Sequence, residues 1–131
     1  MKDETKIWLI YANENLDSSQ ILKESHLYNT CLQNIQQSVE KSIKAILIEK
    51  SIKMKRTHDI LELKYLLQSK DIQIDITDDD CDFLNTIYMP SKYPIGSVLP
   101  EYDPDDKICD QGILIAKKVI NSVEQYLAEN C

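Results

Sequence analysis

The sequence predicts an all-α protein, an up-and-down bundle of four to five helices, on three observations. The 131 residues include only two glycines and four prolines, which favours long helices over a turn-rich β protein. Apolar residues recur every three or four positions, the spacing of one helix face. Only residues 71–76 alternate polar and apolar side chains, so a strand there would have no partner. The length indicates a single domain over residues 1–131.

The first two helices follow from apolar stripes. The first is predicted from about Asp3 to Glu24, with a break or kink at residues 17–19. The second is predicted from about Leu27 to Ser51, and its apolar residues drift slowly around one face. The stripe residues are Ile7, Trp8, Tyr11 and Ala12 in the first helix and Leu27, Cys31, Ile35, Val39, Ile43 and Ile46 in the second.

Local signals mark the remaining elements. A third helix is predicted from about Asp59 to Ser69, where Asp59 and Glu62 fit a capping box. We interpret residues 71–76 as an extended connector packed against the helices. A fourth helix begins after the cap Thr77 and runs to about Tyr88, followed by a long proline-containing loop of a kind that often has a function. The last helix is predicted from near Asp105 to about Ala128.

The composition excludes several classes of protein. The net charge of −7 argues against nonspecific binding to DNA or to an anionic membrane. No apolar run approaches the roughly 20 residues that cross a bilayer, and because the start is charged and no apolar stretch follows it, we expect no signal peptide. The four cysteines show no Cys-x-x-Cys spacing and only two histidines are present, so we expect no metal site. The chain is expected to be cytoplasmic, with reduced thiols.

A basic segment precedes one of the two histidines. Lys50, Lys53, Lys55 and Arg56 place four positive charges in seven residues, directly before His58. These cations either complement the end of a helix or form a phosphate-facing patch. A histidine beside them could act as a general acid or base, or it could simply cap the helix that follows.

A polar stripe lies on the second helix beside its apolar face. Its members recur every three or four residues: Gln37, Glu40, Lys41 and Lys44. One reading is a set of exposed salt bridges of little energetic consequence. The alternative is a polar groove in which a lysine contacts a phosphate and Glu40 fixes that lysine.

Three ordered pieces of sequence resemble the HEPN (higher eukaryotes and prokaryotes nucleotide-binding) domain. They are QQSVEKSIKAIL at residues 36–47, THDILEL at residues 57–63, and Tyr88 followed by Lys92-Tyr93-Pro94. The resemblance extends from about Lys6 to about Leu127. It implies an all-α bundle that commonly forms homodimers. Tyr93 could stack on a base or cover the groove, or it could only pack the loop.

The resemblance also bears on activity. Many HEPN proteins are metal-independent ribonucleases in which an arginine precedes a histidine by four to six residues. Here Arg56 precedes His58 by two residues, and Lys53, at the expected offset, cannot replace a bidentate arginine. This departure argues against ribonuclease activity. The segment Thr57-His58-Asp59 instead resembles the branch found beside minimal nucleotidyltransferases.

The sequence therefore predicts a nucleotide-binding and interaction module. We expect a homodimer that pairs with a nucleotidyltransferase-type partner, or acts in a toxin–antitoxin type pair, and binds a nucleotide or RNA without a cofactor. The alternatives are a metal-independent ribonuclease that uses His58 and Arg56, and a helical scaffold without a ligand. The predicted phosphate-binding residues are Gln37, Glu40, Lys41, Lys44, Lys53 and Tyr93.

Overall fold

Five helices form the fold in a computed structural model that describes residues 1–54, 56–92 and 103–130, with the backbone alone at 89–92. The described residues contain no β-strand, which confirms the all-α prediction. The helices are α1 (Asp3–Glu24), α2 (Tyr28–Glu49), α3 (Ile60–Gln68), α4 (Asp78–Lys92) and α5 (Asp106–Glu129).

The core lies around α2, which packs against all four other helices. Most of α2 is buried because its apolar residues cover more than one face, including Ile35, Val39, Ile43 and Leu47. Gly112 brings α5 close to it, since a Cβ at that position would lie only 2.9 Å from Cδ1 of Ile35. This central position gives α2 the means to hold side chains from several elements.

The predicted break in α1 is wrong, because the helix is continuous from Asp3 to Glu24. Ser19 is fully buried, and its hydroxyl donates to the backbone carbonyl of Leu16 at 2.6 Å, so it competes little with the helix. The predicted apolar stripe is only partly correct. Ala12 is buried, but Ile7 and Tyr11 lie in solvent.

Short polar residues begin the later helices, as their sequence positions predicted. Thr77 and Asp80 form a reciprocal pair, in which each side chain accepts from the backbone N–H of the other. Asp59 caps α3 by accepting from the backbone N–H groups of Leu61 and Glu62. The predicted reciprocal bond from the Glu62 side chain is replaced, because Glu62 accepts from the Thr57 hydroxyl instead.

The connector after α3 packs on the bundle through Ile72 and Ile76, as expected. It is not extended throughout, because Asp71 lies in a turn with positive φ and the chain bends at Asp75. The helix that follows, α4, continues past the predicted end at Tyr88 to Lys92 and includes Pro90. The remainder of the predicted loop, at residues 93–102, lies outside the described residues. Within the described ranges, no helix combines the length and the apolar character that crossing a membrane requires.

Candidate functional site

Glu40 lies at the middle of α2 with its carboxylate buried, and three side-chain donors surround it. The carboxylate accepts from Nδ1 of His58 at 2.7 Å, from Nζ of Lys44 at 2.9 Å and from Nε2 of Gln36 at 3.2 Å. Residues 36, 40 and 44 are spaced by four, so they share one side of the helix. The loop before α3 supplies His58. We call these four residues the Glu40 centre.

The electrostatics of the centre keep Glu40 ionised. Burial acts to raise the pKa of Glu40, but hydrogen bonds from Lys44, His58 and Gln36, together with the Lys44 charge, outweigh it and lower that pKa. An ionised carboxylate only accepts hydrogen bonds, so Nδ1 of His58 must carry a proton. The other ring nitrogen, Nε2, is therefore the one left to meet a ligand.

The backbone and ring of His58 are both held in place. Nε2 of Gln36 donates to the His58 carbonyl at 3.0 Å, which ties the loop to α2. The imidazole lies beside the Tyr88 ring of α4, with 5.4 Å between centroids and a tilt of 40°. The His58 side chain is nevertheless 59% exposed, whereas that of Glu40 is 5% exposed. The buried Glu40 carboxylate thus holds the His58 ring where solvent can reach it.

The predicted polar stripe on α2 divides between two surfaces. Lys44 joins the Glu40 centre, and Gln37 reaches its edge by donating to Oε1 of Gln36 at 3.0 Å. Lys41 turns toward α1, where Nζ donates to Oδ1 of Asn15 at 2.8 Å and lies 5.8 Å from the Tyr11 ring centroid. Lys41 is therefore committed to helix packing.

The remaining predicted residues do not bond to the Glu40 centre in the described part of the chain. Lys53 and Arg56 are exposed, and within the described part of the chain neither has a hydrogen bond or ion pair to it. Lys53 lines a surface cavity of about 330 Å³ on the α3 side, together with Thr57 and Tyr65. Tyr93 falls outside the described residues.

Comparison with protein families identifies the chain. The model of the HEPN domain matches residues 5–126, almost the whole sequence. The chain belongs to the HEPN family. A search of curated proteins found no match.

Two solved structures share the HEPN fold of this chain. The archaeal HEPN homologue ST0689 is 22% identical, with a TM-score of 0.68, over 96% of this chain and 98% of its own. TT1696 from Thermus thermophilus is 21% identical, with a TM-score of 0.75, over 95% of this chain and 98% of its own. At this level of identity the likeness shows the fold alone.

Two residues at the Glu40 centre, Gln36 within it and Tyr88 beside it, were not expected to be site residues, although both lie in the motif segments. Gln36 is fully buried, which its polar amide and its place outside the predicted stripe do not suggest. Its position four residues before Glu40 is the signal that could have revealed it. Tyr88 reaches His58 from another helix, and no local pattern predicts that contact.

The chemistry available to the Glu40 centre depends on the protonation of the His58 ring. With both nitrogens protonated, His58 can donate from Nε2 to a phosphate oxygen. With a neutral ring, Nε2 can accept a proton, as a general base does. No group of three or more histidine, cysteine, aspartate or glutamate side chains in the described ranges is arranged to hold a metal ion.

Proposed function

We propose that this HEPN protein is a binding module whose Glu40 centre contacts a phosphate group of a nucleotide or RNA through Nε2 of His58. The observation that carries the proposal is an exposed imidazole fixed by a buried, ionised carboxylate. Holding the ring in one orientation lowers the entropy lost when a ligand binds. Lys44 acts within the centre by balancing the charge of Glu40.

Cations near His58 support an anionic ligand. Lys53 and Arg56 are exposed on the segment that leads to His58, although the chain as a whole is acidic. Local positive charge attracts phosphate and raises its effective concentration even where the net charge is negative. Because neither side chain bonds to the Glu40 centre in the described part of the chain, we expect them to contact phosphates adjacent to the one at His58.

Equilibrium binding to a labelled single-stranded RNA and to ATP tests this proposal. His58→Ala should weaken binding about tenfold or more, since a charge-assisted hydrogen bond contributes about 1.5–3 kcal/mol. His26→Ala is the matched control, because His26 is also exposed but its ring bonds to the hydroxyl of Tyr28 rather than to a carboxylate. Equal affinities for the native protein and the His58 variant would contradict the proposal.

We extend the proposal to assembly on the resemblance of Thr57-His58-Asp59. The module would form a homodimer, as the family commonly does, and would either pair with a minimal nucleotidyltransferase or act in a toxin–antitoxin type pair. Sedimentation of the pure protein tests the homodimer. Affinity capture of the protein from the native cell tests the partner. If no nucleotidyltransferase is recovered with the protein, the proposed pairing with that partner is contradicted.

A second candidate function is metal-independent RNA cleavage, and the bond between Glu40 and His58 favours it. Nε2 of a neutral His58 would take the proton of a ribose 2′-hydroxyl, and the 2′ oxygen would attack the adjacent phosphorus. The 5′ oxygen would leave with a proton from water, which gives a 2′,3′-cyclic phosphate and a free 5′-hydroxyl. We expect cleavage in excess chelator by the native protein and not by His58→Ala. An all-deoxy substrate is the control, since it lacks the attacking hydroxyl. Intact RNA in every reaction would exclude this function.

A further inference from the structure

The side of α1 that faces away from the core carries a line of six residues that no other element of the described chain covers. The core side is marked by Thr5, Ala12, Leu16 and Ser19, all buried. Opposite them lie residues spaced alternately by four and three, which we call the outer seam: Asp3, Ile7, Ile10, Glu14, Asp17 and Ile21.

The isoleucines of the outer seam are unusually open to solvent. Ile7 is 48% exposed, Ile10 is 55% exposed and Ile21 is 64% exposed. Single exposed apolar residues are ordinary, but three in line on one helix are typical of a surface that another helix covers. At about 1.5 Å per residue the seam is about 27 Å long, enough for a helix of five turns.

Two acids interrupt this apolar line. Within the described ranges, neither Glu14 nor Asp17 has a hydrogen bond or an ion pair. A partner that covers Ile10 and Ile21 must also cover Glu14 and Asp17, which lie between them. Removing these carboxylates from water is costly unless the partner supplies opposite charges.

A second copy of this chain does not meet that requirement at the seam. In an antiparallel arrangement about the middle of the seam, Ile10 would face Glu14 of the copy, and Ile7 would face Asp17. If the two-fold axis is moved so that Ile7 of one copy faces Ile10 of the other, Asp3 of one copy faces Glu14 of the other. A parallel arrangement places each acid against itself, and like charges in contact cost several kcal/mol.

We infer that the outer seam binds a helix of a different protein, with apolar residues opposite the isoleucines and Lys or Arg opposite Glu14 and Asp17. This is a helix-on-helix contact whose specificity comes from the two acid positions. The net charge of −7 favours encounter with such a basic partner. The inference uses no residue of the Glu40 centre, so it stands apart from the proposed function.

Two synthetic peptides of about three heptads test this inference directly. Both carry leucine opposite the isoleucines, and they differ only in having lysine or glutamate opposite Glu14 and Asp17. The lysine peptide should bind the native protein at least about tenfold more tightly than the glutamate peptide. The double variant Glu14→Lys, Asp17→Lys should reverse that preference. Equal affinities, or no binding by either peptide, would overturn the inference.

The apolar part of the seam needs its own variant. Ile7→Ser with Ile10→Ser should abolish binding of the lysine peptide, whereas Leu114→Ser on α5 should leave it unchanged, although Leu114 is 71% exposed. Equal losses in both variants would show nonspecific apolar adsorption and overturn the inference. So would a native dimer, seen by sedimentation, that the isoleucine variant dissociates, because a second copy would then occupy the seam.

Discussion

Glu40 is the residue on which the candidate site depends, because it is the common acceptor for three donors. Replacing it with glutamine keeps the side-chain shape but removes the charge and one acceptor. Lys44 and His58 would then lack their ionised partner, and the Lys44 ammonium is itself largely buried. The consequences reach both the stability of the fold and the orientation of the His58 ring.

Glu40→Gln should lower the free energy of unfolding by about 1–3 kcal/mol, the range for leaving buried donors without an adequate acceptor. Urea unfolding measures the change. Glu14→Gln is the matched control on α1, since Glu14 is exposed, and its effect should stay within about 0.5 kcal/mol. Equal stability of Glu40→Gln and the native protein would show that the buried carboxylate has no structural role.

The contribution of Glu40 to the free energy of unfolding should decrease as the pH falls. Its pKa is lower in the folded protein than the ordinary value of 4.5, because the bonds from Lys44 and His58 outweigh burial. Between the folded pKa and about pH 4.5, the unfolded chain therefore binds more protons at Glu40 than the folded protein does, and stability rises with pH. The contribution is fully present above about pH 4.5 and is lost as the pH falls through the folded pKa. A stability difference between native and Glu40→Gln proteins that stays constant from pH 7 to pH 3 would contradict this.

At the scale of elements, three helices end in the same way. A non-glycine residue with positive φ follows each of α1, α2 and α3: His26 at 60°, Ser51 at 54° and Asp71 at 58°. The next residue, which is Leu27, Ile52 or Ile72, returns a backbone bond of 2.9–3.0 Å to the last turn. These are Schellman motifs, and in each a residue with a Cβ occupies a conformation that favours glycine.

Asp71→Gly should therefore stabilise the protein by about 0.5–1 kcal/mol. The relief of left-handed strain exceeds the entropy that glycine adds to the unfolded chain. Thermal or urea unfolding measures this gain. Asp75→Gly, in the same connector but without a positive φ, should destabilise instead. A loss of stability in Asp71→Gly would show that the aspartate side chain contributes more than the strain costs.

The elements also show what sequence could predict. Helix starts at Asp59, Thr77 and Asp105 were predicted well, because a cap acts over three residues. The kink at residues 17–19 was wrong, because burial of Leu16 and Ser19 outweighs the low helix propensity of that segment. Local pattern could not decide which apolar face of α1 meets the core.

At the scale of the whole molecule, the site joins three separate elements. They are α2 with Glu40, the loop before α3 with His58, and α4 with Tyr88. Glu40 and His58 were both predicted from their segments, but their contact depends on how the loop before α3 crosses α2. The same packing directs Lys41 to Asn15 of α1 and Lys44 to Glu40. Two lysines three residues apart on one helix look equivalent in sequence, and only the positions of neighbouring helices separate them.

The central claim is that Glu40 holds His58 so that Nε2 meets a phosphate-bearing ligand. Imidazole nitrogen NMR of the native protein, before and after addition of a short single-stranded RNA, tests it most directly. We predict that Nδ1 of His58 is protonated in the free protein, and that RNA shifts the His58 Nε2 resonance but not those of His26. The shift should shrink in Glu40→Gln. An unchanged Nε2 resonance at saturating RNA, or an equal shift at His26, would contradict the account.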